Sequence, residues 1–202
     1  MKKSVFFLFL FLAAQMISAQ NNETKIFSHI GVSSNNFSGN FSDNWPIGTS
    51  FGAGIDLRLN NNFSAAPYIE YSYLPLNENN LKNNLNINDQ SAKIVGGNLH
   101  LFNISANLKY QLKTQKMIKP YLTAGFGYLV IGNDDSRAID NNGNTISTFN
   151  YNENVFSSNF GAGIEIELNS TFGIFVDARY LIGFTEDNYS RAAVNLGLAY
   201  KL

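Results

Sequence analysis

The chain has 202 residues, no cysteine, and fourteen basic against fifteen acidic side chains. That near-neutral balance leaves no electrostatic footprint for nucleic acid, and the missing cysteine excludes disulfides and thiolate metal sites. Sixteen glycines, seventeen phenylalanines and ten tyrosines, with few helix formers in the periodic segments, argue for an all-β chain.

The first element reads as a processing segment. Lys2 and Lys3 form a charged start, Val5 to Ala14 an apolar run, and Ile17-Ser18-Ala19 a small-residue cut before Gln20. Ten apolar residues fall short of the ~20 that span a bilayer as a helix. Residues 1–19 are therefore expected to be a signal peptide, and 20–202 a single barrel domain. Without Lys2 and Lys3, twelve basic side chains face fifteen acidic ones.

Eight strands follow, each marked by apolar residues at every second position. The first spans about 24–33, with Ile26, Ile30 and Val32 opposite Phe27, His29 and Gly31. The second (about 49–59) sets Phe51, Ala53, Ile55 and Leu57 against Gly52, Gly54, Asp56 and Arg58; the third (about 63–74) sets Ile69, Tyr71 and Tyr73 against Tyr68, Glu70 and Ser72. In the fourth, about 98–112, Phe102, Ile104, Leu108 and Tyr110 oppose Asn103, Ser105, Asn107, Lys109 and Gln111. The fifth runs about 119–131, with Leu122, Phe126 and Tyr128 opposite Tyr121, Thr123, Gly125 and Gly127. The sixth, about 155–168, pairs the Phe156, Phe160 and Ile164 face with Gly161, Gly163, Glu165 and Glu167. The seventh, about 171–183, opposes Phe172, Val176 and Tyr180 to Phe175, Asp177 and Arg179. In the last, Ser190 to Leu202, Val194, Leu196, Leu198 and Tyr200 alternate with Arg191, Asn195, Gly197 and Lys201.

The connections alternate too. Those after the second, fourth and sixth strands are short, while 34–48, 75–97, 132–154 and 184–189 are longer and rich in Asn, Asp, Ser and Gly. Outer-membrane barrels have short periplasmic turns and longer outside loops. The apolar faces also gather aromatics toward the strand ends, at Tyr71, Tyr73, Tyr110, Phe156, Phe172, Tyr180 and Tyr200, as an interfacial girdle does. The opposite faces hold Asp56, Arg58, Glu70, Lys109, Glu165, Glu167, Asp177, Arg179, Arg191 and Lys201, five acids and five bases that can balance inside a narrow lumen. The expected fold is an eight-stranded antiparallel up-and-down transmembrane β-barrel, apolar side outward. A soluble barrel with its apolar face inward has the same period and is the competing arrangement.

The Ile17-Ser18-Ala19-Gln20 signal end, the strands Phe51-Gly52-Ala53-Gly54-Ile55 and Phe160-Gly161-Ala162-Gly163-Ile164, and the closing Gly197-Leu198-Ala199-Tyr200 carry a resemblance. Together they resemble the outer-membrane-protein beta-barrel domain family of Bacteroidetes-type bacteria, similar in plan to the small OmpA/OmpX-like barrels. The resemblance implies residence in the cell outer membrane, with export through the signal peptide. Two departures stand out: Leu202 occupies the end where such barrels usually carry an aromatic, and no peptidoglycan-binding domain follows, so no cell-wall tether is implied.

Catalytic motifs are scarce. His29 and His100 have no metal-ligand spacing. Ser28 and His29 are adjacent in a strand and point to opposite faces, so they do not form a nucleophile–base pair. Asp140-Asn141-Asn142-Gly143-Asn144 lacks the Gly placement and the final Glu of a calcium loop and reads as a polar turn. No enzyme activity, cofactor or metal is expected. The partners expected are outer-membrane lipid and an extracellular ligand or protein of unknown identity, with no nucleic acid, and the chain is expected to be a monomer. A structural or adhesive barrel with a filled lumen leads; a channel for small or hydrophobic solutes and a lipid-modifying enzyme are the alternatives.

Overall fold

The computed structural model describes residues 24–36, 44–84, 93–112, 117–139, 143–184 and 189–202. The expected signal peptide lies outside the described residues. Eleven strands and one short helix are present among them. Eight strands build the wall: β1 (Thr24–Asn36), β2 (Ile47–Arg58), β3 (Phe63–Leu74), β5 (Leu99–Gln111), β6 (Ile118–Asn133), β9 (Asn152–Glu167), β10 (Phe172–Gly183) and β11 (Tyr189–Lys201). They close as a barrel in the order β1-β11-β10-β9-β6-β5-β3-β2, every neighbour antiparallel. Each has at least 12 residues, more than the ~9–11 that cross a bilayer when tilted.

The direction of the alternation is settled by exposure. Phe126 is 75% and Phe156 72% exposed, whereas Glu70 on the opposite face is 1% exposed. The apolar residues therefore face out and the charges face in. Such an outer surface is at home in hydrocarbon, and closure leaves no backbone edge unpaired within it.

Two of the short connections are stapled by asparagine. Asn60 Oδ1 accepts the N–H groups of Asn62 and Phe63, both at 2.9 Å, and Asn169 Oδ1 accepts those of Thr171 and Phe172, both at 2.8 Å. This local side-chain bonding is why Asn suits a tight turn.

The long connections hold more structure than their composition suggests. Segment 75–97 contains α1 (Glu78–Asn84) and β4 (Lys93–Val95), and segment 132–154 contains β7 (Ser136–Ile139) and β8 (Thr145–Phe149). Asn77 Oδ1 accepts the Asn80 N–H at 3.3 Å and caps α1. The three short strands form a second sheet, ordered β4-β7-β8, beyond the barrel's long-loop end. Gly96 and Gly97 join it to β5 at φ of 78° and 90°, a conformation side chains resist. Segments of three to five residues carry too few alternations to be recognised alone. The polar turn expected at Asp140–Asn144 is described only at Gly143 and Asn144.

Candidate functional site

The inner surface is built in layers. At the short-turn end, Lys109 Nζ lies 2.8 Å from Asp56 and 2.9 Å from Glu165. Lys25 pairs with Glu165 as well, and Gln111 donates to the same carboxylate at 3.4 Å. Glu167 stands at the rim, 2.5 Å from Lys119 and 3.7 Å from Lys25.

The middle layer centres on Asp177. Its carboxylate accepts from Arg179 Nη2 at 2.8 Å and Nε at 3.1 Å, from the Tyr121 hydroxyl at 2.8 Å and from Asn195 at 2.8 Å. The Arg179 guanidinium lies 4.9 Å from the Tyr68 ring centre, and the Lys109 ammonium 4.4 Å from that of Tyr121, both within cation–π range. Above it, Glu70 accepts from Arg191 and from His29 Nε2 at 2.9 Å, and Arg191 also donates to Ser72.

Two contacts account for one glycine in each Phe-Gly-Ala-Gly repeat. Gly52 on β2 is the register partner of both His29 on β1 and Glu70 on β3. With no side chain between them, the imidazole passes over Gly52 to the carboxylate. Gly163 on β9 likewise pairs with Tyr121 on β6 and Asp177 on β10, and the phenol reaches across it. A Cβ on Gly163 would lie 2.7 Å from the Tyr121 hydroxyl, and one on Gly52 would lie 2.6 Å from His29 Nε2. Each glycine is thus a gap through which next-nearest strands bond.

The long-loop end is filled differently. Leu74, Leu99, Leu101, Leu129, Ile131, Leu181 and Tyr189 turn inward and bury together, with Trp45 packed against them from the first long connection. Trp45 Nε1 donates to the Gly97 carbonyl at 2.8 Å, and the Tyr189 hydroxyl donates to Asn35 at 2.9 Å. The lumen thus has an apolar cluster at the long-loop end and polar and ionic side chains over the rest. The cavity among Lys25, Asp56, Tyr68, Lys109, Glu165 and Arg179 measures about 30 Å³, room for a water or two.

Of the ten charges expected inside, Asp56, Glu70, Lys109, Glu165, Asp177, Arg179 and Arg191 meet in these layers. Glu167 and Lys201 lie half-buried at the short-turn rim. Arg58 is half-buried and donates to the carbonyls of Asn60 at 3.3 Å and Asn61 at 3.0 Å, and so braces the short turn. It stands at the last position of β2, where the chain already bends. Lys25 and its ion pair are additional to the expected set, although Lys25 shares the parity of Phe27 and His29 and is legible on that ground. Within these layers four acids face four bases, with His29 as an additional member.

Of the expected girdle, Tyr71, Tyr73, Phe156, Phe172, Tyr180 and Tyr200 are exposed on the outer face and Tyr110 is half-buried there. Phe172 packs on Tyr200 at 5.1 Å and Phe63 on Tyr110 at 4.9 Å near the short turns, and Tyr128 on Phe156 at 5.8 Å toward the long loops. Among the described residues no cluster of three or more His, Asp or Glu side chains is arranged to hold a metal ion.

Residues 5–201 match the family model described as outer membrane protein beta-barrel domain. No curated protein matches the chain in sequence. Among solved structures, Neisserial surface protein A is similar with a TM-score of 0.61 at 14% identity, covering 89% of this chain and 97% of that one. Ail, the attachment invasion locus protein of Yersinia pestis, gives 0.55 at 13% identity, covering 91% and 100%. A major outer membrane protein from Thermus thermophilus gives 0.54 at 12%, covering 88% and 99%. At these identities the likeness is one of fold.

Proposed function

Because this chain belongs to the outer-membrane-protein beta-barrel domain family and resides in the outer membrane, we propose that it is a closed barrel whose working surface lies outside the bore. The observation that carries this reading is the filled lumen. An eight-stranded wall encloses a space that side chains can occupy, and among the described residues an apolar plug and paired charges lie in it, with a cavity of about 30 Å³ at the ionic layer.

The family's habit of short periplasmic turns makes the long-loop end extracellular. The β4-β7-β8 sheet then stands above the membrane as the surface offered to a partner. Val95 and Arg137 are register partners on it, and Lys93 lies two residues from Val95. Both cations are exposed and neither has an ion pair among the described residues. Adjacent like charges repel, and an anionic partner relieves that repulsion.

Planar-bilayer recording of the purified protein tests the closed bore. No stepwise current is expected, and steady ohmic steps would replace this reading with a channel. Binding of the detergent-solubilised protein to heparin beads tests the surface. Elution is expected at lower salt for Lys93→Gln/Arg137→Gln; unchanged elution would exclude these residues as the contact.

A further inference from the structure

The outer wall carries a hydrogen-bonded row at its long-loop rim that a filled lumen does not use. Tyr71 and Tyr73 face outward from β3, and His100, the register partner of Tyr73, stands beside them on β5. His100 Nε2 lies 3.0 Å from Asp134 Oδ1, and Nδ1 lies 2.5 Å from the Tyr71 hydroxyl. A carboxylate only accepts, so Nε2 carries the proton and Nδ1 is left to accept from Tyr71. Asn98 Nδ2 donates to Asp134 Oδ2 at 3.4 Å, and Asn98 Oδ1 accepts the Leu76 N–H at 3.2 Å, so the carboxylate is itself oriented.

This arrangement has the form of a nucleophile, a base and a group that orients the base. Ser28 beside His29 does not supply such a pair, and a phenol fills the nucleophile's place here. The row is open to its surroundings, with Tyr71 45% exposed and the His100 and Asp134 side chains 32% and 48%. The Tyr73 ring centre is 5.5 Å from that of His100, and its hydroxyl has no hydrogen bond among the described residues. Phe51 and Phe102, the register partners of Tyr71, are exposed beside it on the apolar wall.

We propose that Tyr71, His100 and Asp134 form an acyl-transfer site on the barrel exterior that acts on the ester-linked chains of adjacent membrane lipid. A rim aromatic belt sits where hydrocarbon meets headgroup, which is the depth of an acyl ester. The Tyr71 oxygen attacks the ester carbonyl carbon while its proton passes to His100 Nδ1, and Asp134 holds the resulting imidazolium. The carbonyl electron pair moves onto oxygen, and in this proposal the Tyr73 hydroxyl donates to it. Collapse breaks the bond to the alcohol oxygen, which takes the proton from His100 and leaves as deacylated lipid. Water then attacks the acyl-tyrosine ester with His100 again as base. The fatty acid leaves, and the phenolic oxygen recovers its proton. Ester and water give alcohol and acid.

The test uses the full-length protein in two kinds of vesicle, one of phosphatidylethanolamine and one containing an acylated disaccharide lipid. Released fatty acid and deacylated lipid are quantified by mass spectrometry. Release from either is expected, and which one reports whether the ester is on glycerol or sugar. Tyr71→Phe and His100→Gln are each expected to lower it by ~100-fold or more, while Tyr110→Phe at the opposite rim leaves it unchanged. The peptide containing Tyr71 should carry one acyl chain in quenched wild type. Both variants are changes on an outward face, and the gel mobility of unboiled samples confirms that they fold. No release from either vesicle above a protein-free control, or a wild-type rate in Tyr71→Phe, overturns the proposal.

Discussion

His29 and Glu70 sit on strands that are not neighbours, yet their side chains meet 2.9 Å apart across the bare backbone of Gly52. Both side chains are fully buried. The bond therefore depends on a residue that takes no part in it.

Gly52→Ala and Gly163→Ala are expected to destabilise the barrel by about 1–3 kcal/mol each, the usual cost of overpacking. The measurement is the temperature at which the fast-migrating folded band disappears from unboiled gels. Ala53→Gly, on the outward face of the same strand, serves as the comparison and should cost less. Equal behaviour of all three would mean that the inner strand-skipping bonds contribute little.

Asp177→Ala should be among the most damaging single changes inside. It strands the Arg179 guanidinium and removes the acceptor for Tyr121 and Asn195. Breaking a buried pair costs on the order of 3–5 kcal/mol where the site is dry and less where water enters. The same truncation at Glu78, on α1 outside the wall, should leave the melting temperature alone.

Trp45 is the only tryptophan in the chain, so its emission reports on the plug directly. A blue-shifted maximum, insensitive to iodide, is expected in the folded protein. Trp45→Phe should preserve folding, and Trp45→Ala should lower stability by ~3–5 kcal/mol. Emission at the wavelength of free indole would place the side chain in water.

A lysine at Ile104, Ile164 or Val176 should cost ~2–4 kcal/mol if the position meets the bilayer midplane. The readout is the denaturant midpoint for folding into lipid vesicles. All three side chains are exposed on the wall's outer face. Tolerance at every one would be incompatible with hydrocarbon on that side.

Cysteines at Asn83 and Thr148 should label with a membrane-impermeant maleimide on intact cells, and cysteines at Asn61 and Ser170 only after lysis. The first two positions lie at the long-loop end and the second two in short turns. The reverse pattern would invert the barrel.

The wall is legible in the sequence because two solvents enforce one period. Ile104 faces hydrocarbon and Ser105 the bore, and this contrast repeats along each strand. Near the long-loop end the contrast fades: Leu99 and Leu101 point inward while Phe102 and Ile104 point outward, so both faces are apolar and a polar bore is the natural but incomplete reading. The plug needs Trp45, which reaches it from a segment with no periodicity. Parity puts His100 on the outer wall, but its partner Asp134 is 34 positions away and no local pattern joins them. Sheet β4-β7-β8 escapes for the same reason, since its strands define each other only after the barrel has brought them together.

The seam between β1 and β11 runs from Lys25 opposite Lys201 to Asn36 opposite Ser190, joining the two ends of the wall. The pairs that cross the bore reach equally far along the chain, Lys25 to Glu165 over 140 positions and Arg191 to Glu70 over 121. An unclosed sheet would leave those charges without partners and two rows of amide groups facing lipid. Partial assembly has little to hold it in place, and contacts so distant in sequence form slowly. The barrel should therefore insert as a single cooperative event that waits for its final strand, and a chain shortened by that strand should accumulate outside the membrane instead of settling in it half-built.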